Sequence, residues 1–319
     1  MIKRKIQKEI PVYMINGFLD SGKSQFIKYT LSQNYFQIRG KTLLILCEEG
    51  EEEYGAELLK KSRTIVETIE DEADFNPENL AAIEDRVNPD RIIIEFNGVW
   101  NPKEIKLPVG WKIDQQITTI DGSTFEMYYT NMKSLVAEHV RLSDMIIFNR
   151  CDNLNDLASF KRNIKGVNAR AEVIFEDSEG EINVSLAEEL PFDLDAEVIK
   201  LDDAGYAIWY IDIMDNIERY DGKTIEYIGQ VAKPPMFDEG YFVVGRMAMT
   251  CCADDMAFLG FASKYENAKD VPEKEWVRLN ATIHIENFEA YQGIGPVLYV
   301  NSINTVKAPK NEVIDFSKL

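Results

Sequence analysis

Eight consecutive residues, Gly17-Phe18-Leu19-Asp20-Ser21-Gly22-Lys23-Ser24, have the types and spacing needed to hold a nucleotide triphosphate. Each position answers a separate requirement. Gly17 and Gly22 permit backbone angles that a Cβ would forbid, so successive N–H groups can curl around a β-phosphate. Lys23 brings a point charge to the β and γ oxygens, and the Ser24 hydroxyl is a ligand for Mg²⁺. Asp20, Ser21 and Gln25 complete the nucleotide-binding set. The motif lies between a short apolar run at 11–16 and a helical pattern at 23–31, the context that distinguishes it from a chance match. The helix that opens there adds its N-terminal dipole.

A phosphate loop alone does not choose between ATP and GTP. After the apolar run 145–148 comes Asn149-Arg150-Cys151-Asp152, which matches the Asn-Lys-x-Asp motif of GTPases with Arg for Lys. Asp152 can accept hydrogen bonds from the guanine N1–H and exocyclic amine; adenine offers neither in that arrangement and would leave the carboxylate unpaired. Arg150 can lie over the base plane with its guanidinium. Earlier in the chain, Glu95-Phe96-Asn97-Gly98 has the form Asp-x-x-Gly with Glu as the acid. Glu95 would hold Mg²⁺ through water or position the attacking water, and the Gly98 N–H would meet the γ-phosphate. Lys23, Glu95 and Gly98 are therefore the candidate catalytic groups. The competing readings are an ordinary post-strand turn at 149–152 and a strand-end carboxylate before a turn at Glu95.

These motifs need a scaffold of alternating strands and helices. Strands are expected at 11–16, 42–47, 91–96, 113–120, 145–148 and 172–175, with helices at 23–31, 123–140 and 156–164. A further helix at 77–87 has Asn76 as N-cap and Pro77 as first helical residue. β-Branched strands in βα alternation argue for an α/β fold, a mostly parallel sheet flanked by helices. From Phe192 onward the texture changes to closely spaced strand-like runs at 224–231, 241–250, 258–264, 276–285 and 296–306, with one helical stretch at 206–219. Five short strands suggest a small mainly-β barrel of the OB type. The expected organisation is a nucleotide-binding domain over 1–195 and an OB-like domain over 196–319. No linker is evident; the nearest candidate is the acidic stretch 176–181.

The 319 residues, 45% hydrophobic and 11% aromatic, can fill two cores. No apolar stretch approaches the roughly 20 residues that span a bilayer, so the chain is not expected to be membrane-embedded. No signal-like segment opens it, and four cysteines (Cys47, Cys151, Cys251, Cys252) do not make a disulfide scaffold, so a cytoplasmic location is expected. A formal net charge of -20 with scattered Lys and Arg argues against a nucleic-acid partner. Trp209, Tyr210, Tyr227, Tyr241 and Phe242 are then better read as core than as a stacking face.

Taken together, Gly-Phe-Leu-Asp-Ser-Gly-Lys-Ser, the Glu-x-x-Gly-x-x-x-Pro of Glu95, Gly98 and Pro102, and Asn-Arg-Cys-Asp resemble the CobW-like metallochaperone P-loop GTPases over about residues 10 to 180. Cys47-Glu48-Glu49-Gly50 looks like that family's Asn-Glu-Phe-Gly, which makes Glu48 the match for its switch carboxylate near Mg²⁺. The resemblance implies GTP binding and hydrolysis coupled to delivery of Zn²⁺ or another divalent transition metal. The family's Cys-x-Cys-Cys motif is missing: between Gly50 and Glu95 stands the carboxylate run 67–74, which suits harder ions than thiolates do and reads as a solvated acidic loop. Over about 200 to 310, Tyr220-Asp221-Gly222-Lys223-Thr224, Phe242-Val243-Val244-Gly245-Arg246 and Cys251-Cys252-Ala253-Asp254 resemble the C-terminal domain of YcgQ-like proteins, which implies a membrane permease partner.

Cys251 and Cys252 form the one thiol pair, a candidate transition-metal site against the alternative of buried structural thiols; adjacent strand residues point to opposite faces. His139 and His284 lack ligand-like spacing and read as surface or satisfied histidines. The leading expectation is a slow, partner-stimulated GTPase. A GTP-gated adaptor, marked by a nucleotide-dependent homodimer or a permease complex without turnover, and a small-molecule P-loop kinase are the alternatives.

Overall fold

A computed structural model describes residues 9–48, 53–185, 190–249 and 256–316. Glu49, Gly50, Cys251 and Cys252 lie outside the described residues. The chain divides into two compact units, the first made of Met1–Leu157 with Ala171–Asn183 and the second of Ala158–Arg170 with Val184–Leu319.

The first unit contains strands β1 (Ile10–Asn16), β2 (Thr42–Leu46), β3 (Thr64–Thr68), β4 (Arg91–Glu95), β5 (Trp111–Asp121), β6 (Met145–Asn149), β7 (Glu172–Asp177) and β8 (Gly180–Ile182). They form one sheet in the order β3-β2-β4-β1-β5-β6-β7-β8. Every neighbouring pair is parallel except the β7–β8 hairpin. Helices α1 (Lys23–Ser32), α2 (Ala56–Ser62), α3 (Pro77–Val87), α4 (Gly122–Asn131) and α5 (Lys133–Arg141) make the connections. The continuous apolar runs follow from burial on both faces. The two-residue period of β4 sends Ile92 and Ile94 into a cluster with Leu80, Ile83 and Val87 of α3, and Ile93 into the opposite cluster with Ile27 and Leu31 of α1. Asn76 caps α3 by accepting from the Asn79 N–H at 3.0 Å, with Pro77 at the first helical position.

The helix expected over 123–140 is two helices. Met132, at φ -131° and ψ 36°, breaks it, and its N–H closes the first helix on the Tyr128 carbonyl at 2.8 Å. Helical periodicity continues across the break, so it gave no warning. Beyond the expected elements stand α2 and β3, a half-exposed edge strand, and the stretch 176–181, the nearest candidate for a linker, is a tight hairpin.

The second unit is mainly β. It contains α6 (Leu157–Val167, assigned here from Ala158), β9 (Ile199–Lys200), α7 (Asp203–Asp215), β10 (Thr224–Ala232), β11 (Tyr241–Met249), β12 (Met256–Lys264), β13 (Trp276–Phe288), β14 (Gly293–Thr305) and β15 (Val313–Asp315). Five strands pair in a ring, β10-β11-β12-β14-β13 and back to β10, with β12–β14 the parallel junction. Trp209, Tyr227 and Phe242 are buried in its core with Tyr206, Phe261 and Leu279, so those aromatics are packing rather than a stacking face. Asp212 is fully buried at the end of α7, where it accepts from Tyr220 (2.6 Å), Arg219 (2.8 Å) and Asn216 (2.9 Å). No helix among the described residues is long and apolar enough to cross a membrane.

Candidate functional site

The loop between β1 and α1 turns through left-handed backbone at Gly17 (φ 134°), Asp20 (φ 59°) and Gly22 (φ 95°). Gly17 is required by space as well as by its backbone angle, whereas at Gly22 the left-handed φ carries the demand, since the nearest atom is the movable end of the Asn149 side chain. A Cβ at Gly17 would lie 2.3 Å from the Thr119 carbonyl oxygen, and one at Gly22 would lie 2.5 Å from the Asn149 amide. Lys23 opens α1 with Ser24, and Gln25 follows in its first turn. The Lys23 ammonium, 3% exposed, donates to the Gly17 and Phe18 carbonyls, each at 2.8 Å, and pairs with Glu48. Ser21 and Thr119 share a hydroxyl hydrogen bond of 2.9 Å, tying the loop to β5.

Parallel strand order brings the ends of β2 and β4 beside this loop. Glu95, the last residue of β4 and 5% exposed, accepts from the Ser24 hydroxyl at Oε1 and from the Tyr54 hydroxyl at Oε2, both at 2.5 Å. Glu48 follows β2; besides pairing with Lys23 it accepts from the Gly98 N–H at 3.3 Å. Gly98 packs so closely that a Cβ there would fall 2.6 Å from the Gly17 carbonyl oxygen and the Phe18 Cα. Its own carbonyl is 3.0 Å from His139 Nε2. A carbonyl only accepts, so Nε2 carries the proton and Nδ1, buried with no hydrogen-bond partner, is bare. Burial pushes His139 down to about 4, which keeps the ring neutral. His139 is thus a satisfied histidine on the Nε2 side, held edge-on to Phe18, which stacks on Tyr128 at 4.2 Å.

On the other flank, Asn149 donates to the Ser21 carbonyl at 2.7 Å while its Oδ1 is buried without a partner. Arg150, itself left-handed at φ 53°, donates to the Asp20 carbonyl (2.7 Å) and to Asp121 (2.5 Å) at the end of β5. Asp152 is fully exposed, and its Oδ1 accepts from both the Ser178 hydroxyl (2.5 Å) and the Ser178 N–H (3.2 Å). Those bonds hold the Asp152 carboxyl below the usual carboxylate range, so it stays an acceptor at neutral pH. Ser178 sits in the turn between β7 and β8.

Gly17, Gly22, Lys23, Ser24, Glu48, Glu95, Gly98 and Asn149 therefore meet at one end of the sheet, with Asp20, Ser21, Gln25, Arg150 and Asp152 beside them. Tyr54, Thr119, Asp121, His139 and Ser178 join them without having been singled out as site residues. Ser178 had a legible signal, an Asp-Ser-Glu-Gly turn after the last strand; Tyr54 had none.

The oxygen-only donors Ser24, Glu95 and Glu48 fit a hard cation such as Mg²⁺, and the Gly17–Gly22 cradle with the orphaned Asn149 Oδ1 fits a nucleotide. Soft-metal chemistry finds less here. Cys47 and Cys151 are buried thiols pushed up by burial, Cys151 to about 11. The acidic run ends in an exposed turn at 70–74 capped by Asp71, and no group of three or more His, Cys, Asp or Glu set to hold a metal occurs among the described residues.

A parallel α/β sheet with a glycine loop, an α1 lysine–serine pair and two carboxylates at its strand ends defines a P-loop nucleotide-binding protein. Residues 11–175 match the CobW/HypB/UreG nucleotide-binding domain, and the chain belongs to that family. Residues 178–314 match the DUF1980 C-terminal domain. Over 105 residues the chain is 25% identical to the UPF0703 protein YcgQ of Bacillus subtilis, a stretch covering 32% of this chain and 37% of that protein. Among solved structures it is similar to the Zn(II)-bound YjiA GTPase from E. coli (22% identity, TM-score 0.41, 56% of this chain and 60% of that one). It is also similar to the hydrogenase maturation factor HypB from Archaeoglobus fulgidus (16% identity, TM-score 0.39, 54% and 82%).

Proposed function

We propose that this protein is a Mg²⁺-dependent, guanine-selective nucleotide switch with slow hydrolysis. The observation that carries the reading is the engagement of Glu48, which holds both the Lys23 ammonium and the Gly98 N–H. Those are the two donors that the β and γ oxygens of a triphosphate require. Lys23 would exchange Glu48 for phosphate oxygens, and Gly98 would turn its N–H to the γ-phosphate. Glu48, released from both, becomes available on the metal side, where Mg²⁺ would neutralise charge on the phosphates with Ser24 and Glu95 as its protein oxygens. Arg150 and Asn149 brace the loop while Asp152, preset by Ser178, reads the guanine edge. Coupling of these exchanges to the loop after Glu95 makes nucleotide state readable elsewhere.

Binding of a fluorescent GTP analogue, competed with GTP and ATP, together with phosphate release at several divalent metals, tests this. GTP-selective binding with slow Mg²⁺-dependent release supports it; binding without release identifies an adaptor, and equal affinity for ATP and GTP revives a kinase. For the base contact, Asp152→Asn should weaken GTP roughly a hundredfold, since one acceptor becomes a donor facing the guanine amine. The same variant should gain affinity for xanthosine triphosphate, whose 2-oxo group accepts. Unaltered preference in a competition assay would remove Asp152 from the base site.

The resemblance further supports a link to metal homeostasis, with a divalent metal such as Zn²⁺ as cargo and a membrane permease as partner; a cytoplasmic location and a homodimer formed with nucleotide complete the proposal. The ring order of β10 to β14 supports an OB-type reading of the second unit. If Cys251 and Cys252 hold metal, Zn²⁺ affinity should drop in the Cys251→Ser/Cys252→Ser variant in a calorimetric titration; equal affinity would retire that pair.

A further inference from the structure

The geometry points to Tyr54 as a positioning residue that orients the Glu95 carboxylate for Mg²⁺; this role rests on the proposed function. Tyr54 precedes α2, in the chain segment that follows β2, and belongs to none of the nucleotide motifs. Its hydroxyl donates to Glu95 Oε2 while Ser24 donates to Oε1, so each carboxylate oxygen is held by a different element. A carboxylate bound at both oxygens has lost the broad, two-fold torsional freedom of a glutamate terminus. The phenol is placed independently of this bond. Its ring packs in the apolar cluster of Ile27, Leu31 and Leu44, and the Lys28 ammonium lies 5.6 Å from the ring centre.

With Oε2 accepting from Tyr54 and Oε1 from Ser24, the plane of the Glu95 carboxylate is fixed, and each oxygen keeps a second lone-pair site in a set direction. A fixed carboxylate orientation matters most to Mg²⁺, which demands near-ideal octahedral geometry, and less to Ca²⁺, which takes carboxylates in flexible shells. Tyr54 is therefore a determinant of metal discrimination. It also ties the chain just before α2 to the end of β4.

The test is the Tyr54→Phe variant, which keeps the ring and its packing and loses only the hydroxyl. Affinity for a fluorescent GTP analogue is measured without metal, then across Mg²⁺ and Ca²⁺ titrations. The Mg²⁺ concentration for half-maximal tight binding should rise roughly tenfold, as expected for one charge-assisted bond. The Ca²⁺ midpoint and the metal-free affinity should stay within about twofold, since neither depends on a strictly oriented carboxylate. Tyr54→Leu, which removes the ring, should weaken binding in all three conditions. A Tyr54→Phe variant with an unmoved Mg²⁺ midpoint, or with Mg²⁺ and Ca²⁺ midpoints moved equally, overturns the assignment. A wild-type affinity indifferent to Mg²⁺ would instead overturn the metal-dependent reading of the whole site, and the role of Tyr54 with it.

Discussion

Replacing Lys23 with alanine is expected to weaken GTP binding by roughly a hundredfold or more, the loss of about 3 kcal/mol from charge-assisted contacts to two phosphate oxygens. The effect is large because the ammonium is almost fully buried and already aimed by the Gly17 and Phe18 carbonyls. The same change should lower the stability of the nucleotide-free protein. Glu48, 12% exposed on its side chain, loses its cationic partner and among the described residues keeps the Gly98 N–H, a cost of about 2 kcal/mol for a largely buried carboxylate without its counter-charge. Adding Glu48→Gln should restore much of that stability while leaving GTP binding poor. Thermal melts and equilibrium binding on the two single variants and the double variant separate these effects. If the double variant regains nucleotide affinity along with stability, Lys23 acts through the fold and not through phosphate.

The second large effect is acid sensitivity seated at His139. The imidazole titrates near 4 in the folded protein because burial disfavours the cation, against an ordinary 6.5 in the unfolded chain. Between those values the unfolded state binds the proton and the folded state does not. Stability is therefore complete above about pH 6.5 and falls as pH drops toward 4, by roughly 3 kcal/mol over the whole window. Below 4 this contribution levels off. Protonation would also add an Nδ1–H to a site where Nδ1 has no partner, a cost that the Nε2–H bond to the Gly98 carbonyl, which favours the cation, offsets only in part. His139→Gln keeps an amide donor for that carbonyl and cannot titrate. At pH 5 the wild type should have lost about 2 kcal/mol more than the variant, each measured against its own stability at pH 7.5 by denaturant unfolding. Parallel loss in both proteins between pH 7.5 and 5 would show that the imidazole is not the sensor.

Much of the site was legible because nucleotide chemistry places strict demands on short segments. Gly17 and Gly22 are required where the backbone turns left-handed, Lys23 and Ser24 where a helix begins directly after that turn, and Asn149 to Asp152 immediately after a buried strand. The β-branched runs 91–96 and 145–148 were legible as strands because burial on both faces leaves no polar alternation. The break at Met132 was not, since it interrupts the backbone without interrupting the helical pattern. Nor were β3 and β8, whose composition resembles that of exposed loops because edge strands are half solvated.

The amino-acid sequence by itself determined the presence of a phosphate loop, the type of sheet that carries it, the Asn149-Arg150-Cys151-Asp152 tetrad after β6 and the change to a mainly-β second half. Each is written in contiguous residues whose local backbone needs are specific. Only the tertiary structure decided how the carboxylates are employed. Glu48 holds Lys23 and the Gly98 N–H, Glu95 is shared between Ser24 and Tyr54, and Asp152 is set by Ser178. Those partners lie 25 to 71 residues apart along the chain where the separation spans strands, as Ser24 and Glu95 do. A hydrogen bond depends on a few tenths of an ångström, and that precision comes from the packing of parallel strand ends, which no short motif encodes.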